Sequence, residues 1–197
     1  MKSTVRDWKP PVWEEVETVR SGPEPTPGIA TGKFNKRTYQ SPGEFFADIF
    51  FLTKNLRQIR GVMRGNLISS AFRERLMLSV TSVYGCPYCS WFHTGEALKS
   101  GIEKEEIASL LIGSVDDCPQ DETAAVLYAQ HWADSNTKPD REVVRKLEQA
   151  YGTEMVQIIN LVLRIVRVGN LSGNTWDRFL NRISFGRWGK TSQGNSS

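Results

Sequence analysis

From Ser41 onward apolar side chains recur at helical spacing, and no alternating run is long enough to make a strand. Ser41-Pro42 with Glu44 reads as a cap and first turn. It opens a segment carrying Phe45, Phe46, Ile49, Phe50 and Leu52. The pattern predicts further helices over about 70–84, stopped by Gly85, and over 86–100, opened by Cys86-Pro87 and stopped by Gly101. Shorter ones follow over 103–112 and, behind the Cys118-Pro119 turn, over 120–135. Asp140 opens a helix ending near Tyr151-Gly152, and Thr153 opens the longest one. In that helix Gln157, Asn160, Arg164 and Arg167 form one narrow polar stripe on a girth of Met, Val, Ile and Leu. Such a helix is central, wrapped by others or by a partner subunit. Gly169 reads as its end, with helix resuming near Asn174. The fold class is all-α.

The flanks differ from this body. Six of the nine prolines lie in the first 42 residues, and GPEPTPG from Gly22 to Gly28 excludes helix or central strand. The expected division is an extended Pro-rich N-terminal arm over 1–40, a helical domain over 41–188 and a polar tail over 189–197. Trp8, Val12, Trp13 and Val16 offer the arm a means of docking on the domain or on a neighbouring subunit; a partly disordered leader is the alternative. Phe45, Phe46, Phe50 and Phe51 read as core, and Arg57, Arg60 and Arg64 as a solvated face.

Charge excludes more than it suggests. Twenty-five basic against 22 acidic side chains, interleaved, leave a net charge of +3 on 197 residues, and no basic stripe for nucleic acid. No uninterrupted apolar run spans a membrane, and the first twenty residues have no apolar signal core. The expectation is a cytoplasmic protein that binds neither nucleic acid nor membrane. In a reducing compartment three cysteines are not a disulfide scaffold, and C-x-x-C at Cys86 and Cys89 points to redox or metal chemistry.

In the run GCPYCSWFH, Cys86 falls at a helix N-cap with Pro87 at the first helical position and Cys89 in the first turn, near unpaired backbone N–H groups. Those donors and the helix dipole favour a thiolate. His93 lies one turn past Cys89 on the same face, placed to take the thiol proton directly or through a water. If Gly85 reverses the chain, Glu74 stands about 16 Å back along one helix and His93 about 12 Å along the next, nearly level. A carboxylate on the apolar face of Met77, Leu78 and Thr81 needs a partner or a raised pKa, so Glu74 is a candidate base, with Glu96 as its competitor. Zinc would find three ligands in Cys86, Cys89 and His93 and a fourth in Cys118 or His131. Three ligands within eight residues of one helix make a strained tetrahedron, so neither metal nor cofactor is expected. Haem attachment is excluded because Ser90, not His, follows Cys89. Cys118 reads as a bystander and His131 as a helix-surface or packing residue.

Glu74, eleven intervening residues, Cys86-x-x-Cys89, three residues and His93 resemble the alkyl hydroperoxidase D (AhpD)-like branch of the carboxymuconolactone decarboxylase superfamily. EALKSGIEKEEIASLL, DETAAVLYAQHWADS and the apolar helix extend the resemblance over about residues 45–183. The resemblance implies an all-helical fold, a homo-oligomer (commonly a trimer or a hexamer), and reduction of hydroperoxides through the cysteine pair. Carried over, Cys89 attacks the peroxide and becomes a sulfenic acid, Cys86 condenses with it, and Glu74 and His93 relay the proton. Turnover then needs a dithiol reductant, such as a lipoyl-bearing protein. Tyr88 stands where those hydroperoxidases place a His, and Phe92 where they tend to place a small residue; with Trp91 they give an aromatic mouth. Two rivals remain: a decarboxylase-like enzyme that uses no thiol, and a redox-sensing oligomeric protein.

Overall fold

The computed structural model describes residues 36–184, and among them every regular element is a helix. The part of the expected arm before residue 36 and the expected tail lie outside the described residues. The first helix, α1 (Pro42–Lys54), opens where expected: Ser41 Oγ accepts from the Glu44 N–H and Pro42 stands in the first turn. Asn55 then divides the segment, and a short α2 (Leu56–Met63), absent from the sequence expectation, follows. It leaves Arg57 and Arg60 in solvent, with Arg64 just beyond its end, as expected of a solvated face.

Helix α3 (Ser70–Tyr84) is the axis of the fold. Ser69 caps it, Gly85 ends it in the left-handed conformation at φ 66°, and nearly every side chain from Phe72 to Thr81 is buried. That burial on all sides follows from its neighbours: α4 (Pro87–Lys99), α5 (Lys104–Leu111), α6 (Thr123–Asp134) and α7 (Arg141–Ile183) all pack on it. Helix α6 begins three residues later than expected, because the Pro119 carbonyl accepts from the Glu122 and Thr123 N–H groups in a turn.

Helix α7 corrects the sequence reading in one place and bears it out in another. Gly152, at φ 77°, breaks it where a boundary was expected. Gly169 does not: the helix runs unbroken through Asn174 to Ile183. A glycine inside a helix costs about 1 kcal/mol relative to alanine. Packing of Leu161, Val162, Leu163, Val166 and Leu171 into the main core offsets that easily.

Apart from exposed Gln157, the polar stripe of α7 makes buried and half-buried connections to other helices. Arg164 donates to Asp48 Oδ1 at 2.7 Å, Arg167 donates to Asp48 Oδ2, and Asn160 Oδ1 accepts from Tyr128 Oη at 2.8 Å. This also corrects the reading of α1. Its fully buried residue is Asp48, while Phe46 and Phe50 are exposed and only Phe45 and Phe51 are half-buried. Of the aromatic rings read as core, Phe51 packs against the main core, and the Asp48 carboxylate ties the helix to α7. By length and composition α7 is the one helix among the described residues that would reach across a membrane, and half of that stretch is buried within this fold.

Candidate active site

The hairpin of α3 and α4 builds the site. Gly85 reverses the chain, so α4 lies back along α3 and brings His93 level with Glu74. His93 Nδ1 is 2.9 Å from Glu74 Oε2. Glu74 is 2% exposed, and the Arg73 Nε donates to its other oxygen at 3.0 Å. A carboxylate held by an arginine is purely an acceptor, so the bond to His93 requires the proton on Nδ1. Nε2 is left as the basic nitrogen of the neutral ring.

Arg73 was not foreseen. Adjacent residues on a helix do not face each other, so nothing in the order Arg73-Glu74 announces a pair. Its guanidinium also donates to the Val62 and Met63 carbonyls, at 3.3 and 3.1 Å, tying the end of α2 to the site. Glu96, the competing carboxylate, takes another partner: Lys99 Nζ donates to it at 2.7 Å and holds its carboxyl below the usual range.

Cys86 and Cys89 are joined as a disulfide, with Cα atoms 5.3 Å apart. Cys86 occupies the N-cap of α4, and its Sγ accepts from the Cys89 N–H at 3.3 Å. The helix terminus therefore serves Cys86, where the sequence placed Cys89 near its donors. Cys89 has the other advantage: it lines a cleft of about 270 Å³ with Glu74, His93, Arg73 and Glu96, and Cys86 does not. Met63, Met77, Ile165 and Val166 make its apolar wall. Tyr88 and Phe92 line the cleft, with Phe92 edge-to-face with His93, and Trp91, 72% exposed, stands beside it with its ring centre 6.0 Å from that of Tyr88. The aromatic mouth expected from Tyr88, Trp91 and Phe92 is therefore present.

The far wall comes from α7. Gly169 and Asn170 line the cleft, and Gly173 lies against Cys86, where an added Cβ would stand 3.4 Å from Sγ. Only the GNLSG glycines could have signalled this approach, and they read as a helix end. Cys118 and His131 are not gathered in. Cys118 packs beside the Leu78, Ile107 and Leu110 cluster, where burial pushes its thiol up to about 11. His131 Nε2 lies 3.3 Å from an Asp140 oxygen on the surface. Among the described residues no three His, Cys, Asp or Glu side chains are grouped to hold a metal ion.

Residues 53–134 match the family model described as the carboxymuconolactone decarboxylase family. Neither the curated proteins nor the solved structures contain a match to the chain. The matched segment includes Glu74, Cys86, Cys89 and His93, and stops before α7. An all-helical fold and a matched segment spanning the whole α3–α4 hairpin agree: over residues 53–134 this chain is similar to the carboxymuconolactone decarboxylase family, which is the AhpD-like superfamily.

Proposed function

We propose that this chain is a thiol-dependent oxidoreductase that reduces hydroperoxides. The observation that carries the reading is one cleft lined by Cys89, His93 and Glu74, with His93 held to Glu74 through Nδ1. In the reduced protein His93 Nε2 takes the Cys89 proton, and the thiolate attacks the outer oxygen of the hydroperoxide. The O–O bond breaks, the alkoxide leaves as an alcohol with the proton returned by His93, and Cys89 becomes a sulfenic acid. Cys86, stabilised as an anion at the N-cap, then attacks the Cys89 sulfur and expels hydroxide, which leaves as water with the proton that the Cys86 thiol released. The Cys86–Cys89 disulfide is the oxidised form that such a sequence leaves, which supports this reading.

Its restoration needs an external dithiol, for which a lipoyl-bearing protein is the proposed donor. Exposed Tyr88 and Trp91 beside the cleft support a surface covered by another molecule, in keeping with a homo-oligomer, a trimer or a hexamer. A reducing cytoplasm suits such a cycle. We propose no cofactor, nucleic acid or membrane partner.

The test adds one equivalent of an organic hydroperoxide to the reduced protein. Loss of two thiols, a Cys86–Cys89 disulfide and no reaction in Cys89→Ser support the proposal. Equal peroxide consumption in Cys89→Ser contradicts it. Turnover of a lactone acid untouched by thiol alkylation would favour a decarboxylase instead, and a redox-dependent change in sedimentation without turnover would favour a sensor.

A further inference from the structure

Asn170 is the buried polar group of the cleft that the proton relay leaves unexplained. It is fully buried on α7 and lines the cleft with Cys89. Its Nδ2 donates to Thr81 Oγ1 at 3.1 Å and to the Val166 carbonyl at 2.9 Å. Thr81 spends its own hydroxyl proton on the Met77 carbonyl, so both groups facing Nδ2 are acceptors and the amide orientation is fixed. Oδ1 then points elsewhere. It is sealed from solvent and has no hydrogen-bond partner among the described residues. A buried acceptor without a donor costs about 1–3 kcal/mol. A neighbouring protein group that carries a hydrogen in another state of the molecule would satisfy it.

The helix register identifies that group. Asn170 is bonded to Thr81, and Asn174 to the Tyr84 carbonyl, so α7 runs parallel to the last turn of α3. Helix α4 starts beside Gly85 and runs the opposite way. Gly173 therefore stands at Cys86, and Asn170, one turn earlier on α7, at Cys89, one turn later on α4. In the disulfide neither sulfur carries a hydrogen.

We propose that Asn170 is a positioning residue of the redox pair, whose Oδ1 accepts the S–H of reduced Cys89 in a hydrogen bond that exists only in the dithiol state. Reduction breaks the S–S bond with two electrons and two protons from a dithiol or two glutathione molecules, which become a disulfide; one proton ends on Cys89 and is held by Asn170. The bond favours the reduced form and aims Cys89 along the cleft wall until His93 removes its proton. The inference rests on the proposed thiol chemistry but concerns the thiol–disulfide equilibrium, not peroxide turnover.

The test is equilibration of the full chain in glutathione buffers, with Cys118→Ser as background. Asn170→Ala is expected to shift the equilibrium constant about tenfold toward the disulfide, about 30 mV more reducing. Asn170→Asp keeps an acceptor oxygen and loses an Nδ2 donor, and is expected to stay near the parent. Raman spectra of the reduced proteins should show one S–H stretch of the parent moving to higher frequency in Asn170→Ala. An unchanged equilibrium in Asn170→Ala, or an equal shift in both variants, overturns the proposal. A normal shift in a protein that leaves hydroperoxide intact refutes the peroxidase reading and leaves this one standing; a pair that never equilibrates refutes both.

Discussion

Two buried carboxylates organise this molecule, and they are treated in opposite ways. Asp48, 1% exposed, receives Arg164, Arg167 and the Tyr39 hydroxyl. Glu74, 2% exposed, receives Arg73 and His93. Both are satisfied, as buried charge requires. All of Asp48's partners keep their protons near neutral pH: burial raises the Tyr39 hydroxyl to about 12, although Arg167 opposes the rise. At Glu74 one partner is an imidazole, whose second ring nitrogen can accept a proton, and it borders a cleft. The first arrangement locks α1 on α7; the second can pass a proton. A lock and a relay differ by the exchange of one arginine for a histidine and by access to a cavity.

The comparison can be broken from either side. The largest effect is expected at the lock. Asp48→Ala takes the carboxylate from buried Arg167 and half-buried Arg164 and should cost about 3 kcal/mol, read as a lowered urea midpoint, while the folded fraction reacts with hydroperoxide at its ordinary rate. A rate that fell with Asp48 would mean that the two centres are not separable. Next comes His93→Gln, which keeps a hydrogen bond to Glu74 but cannot take up or pass on a proton: hydroperoxide reduction should slow about 100-fold or more, with the urea midpoint little changed. An unimpaired rate would remove the imidazole from the reaction.

Glu74→Gln should slow the reaction less, about 10-fold, since the ring survives but its Nδ1 loses an ionised acceptor. Stopped-flow thiol oxidation would measure this, and a rate equal to wild type would reduce the pair to packing. The smallest effect is a pH slope at the lock. Tyr39 is raised on folding, so its contribution is complete below about pH 10 and is lost as pH rises toward 12. The melting temperature should therefore fall more steeply with rising pH above 10 in wild type than in Tyr39→Phe; equal slopes would contradict the assignment.

The relay was more legible in the sequence than the lock, for a geometric reason. Glu74, Gly85 and His93 sit on two helices joined by one reversal, so counting residues places them level. Asp48 pairs with Arg164 and Arg167 more than a hundred residues away, and no local pattern announces so distant a partner. The phenylalanines of α1 drew attention to the wrong face. Arg73 was hidden by adjacency. Gly169 was hidden by the rule that glycine ends a helix, when here it lines the cleft, and one turn on Gly173 marks where α7 approaches Cys86. The Ser41 cap, the Gly85 stop and the Gly152 break were read correctly, because each is decided by one residue's backbone chemistry.

The central claim is that Cys89 meets the oxidant in the cleft and Cys86 completes the disulfide. Removing the second step isolates the first. Reduced Cys86→Ser treated with one equivalent of an organic hydroperoxide and a sulfenic-acid trapping reagent should carry the label on Cys89 alone. Label on Cys118, or on no cysteine while the hydroperoxide persists, would contradict the account.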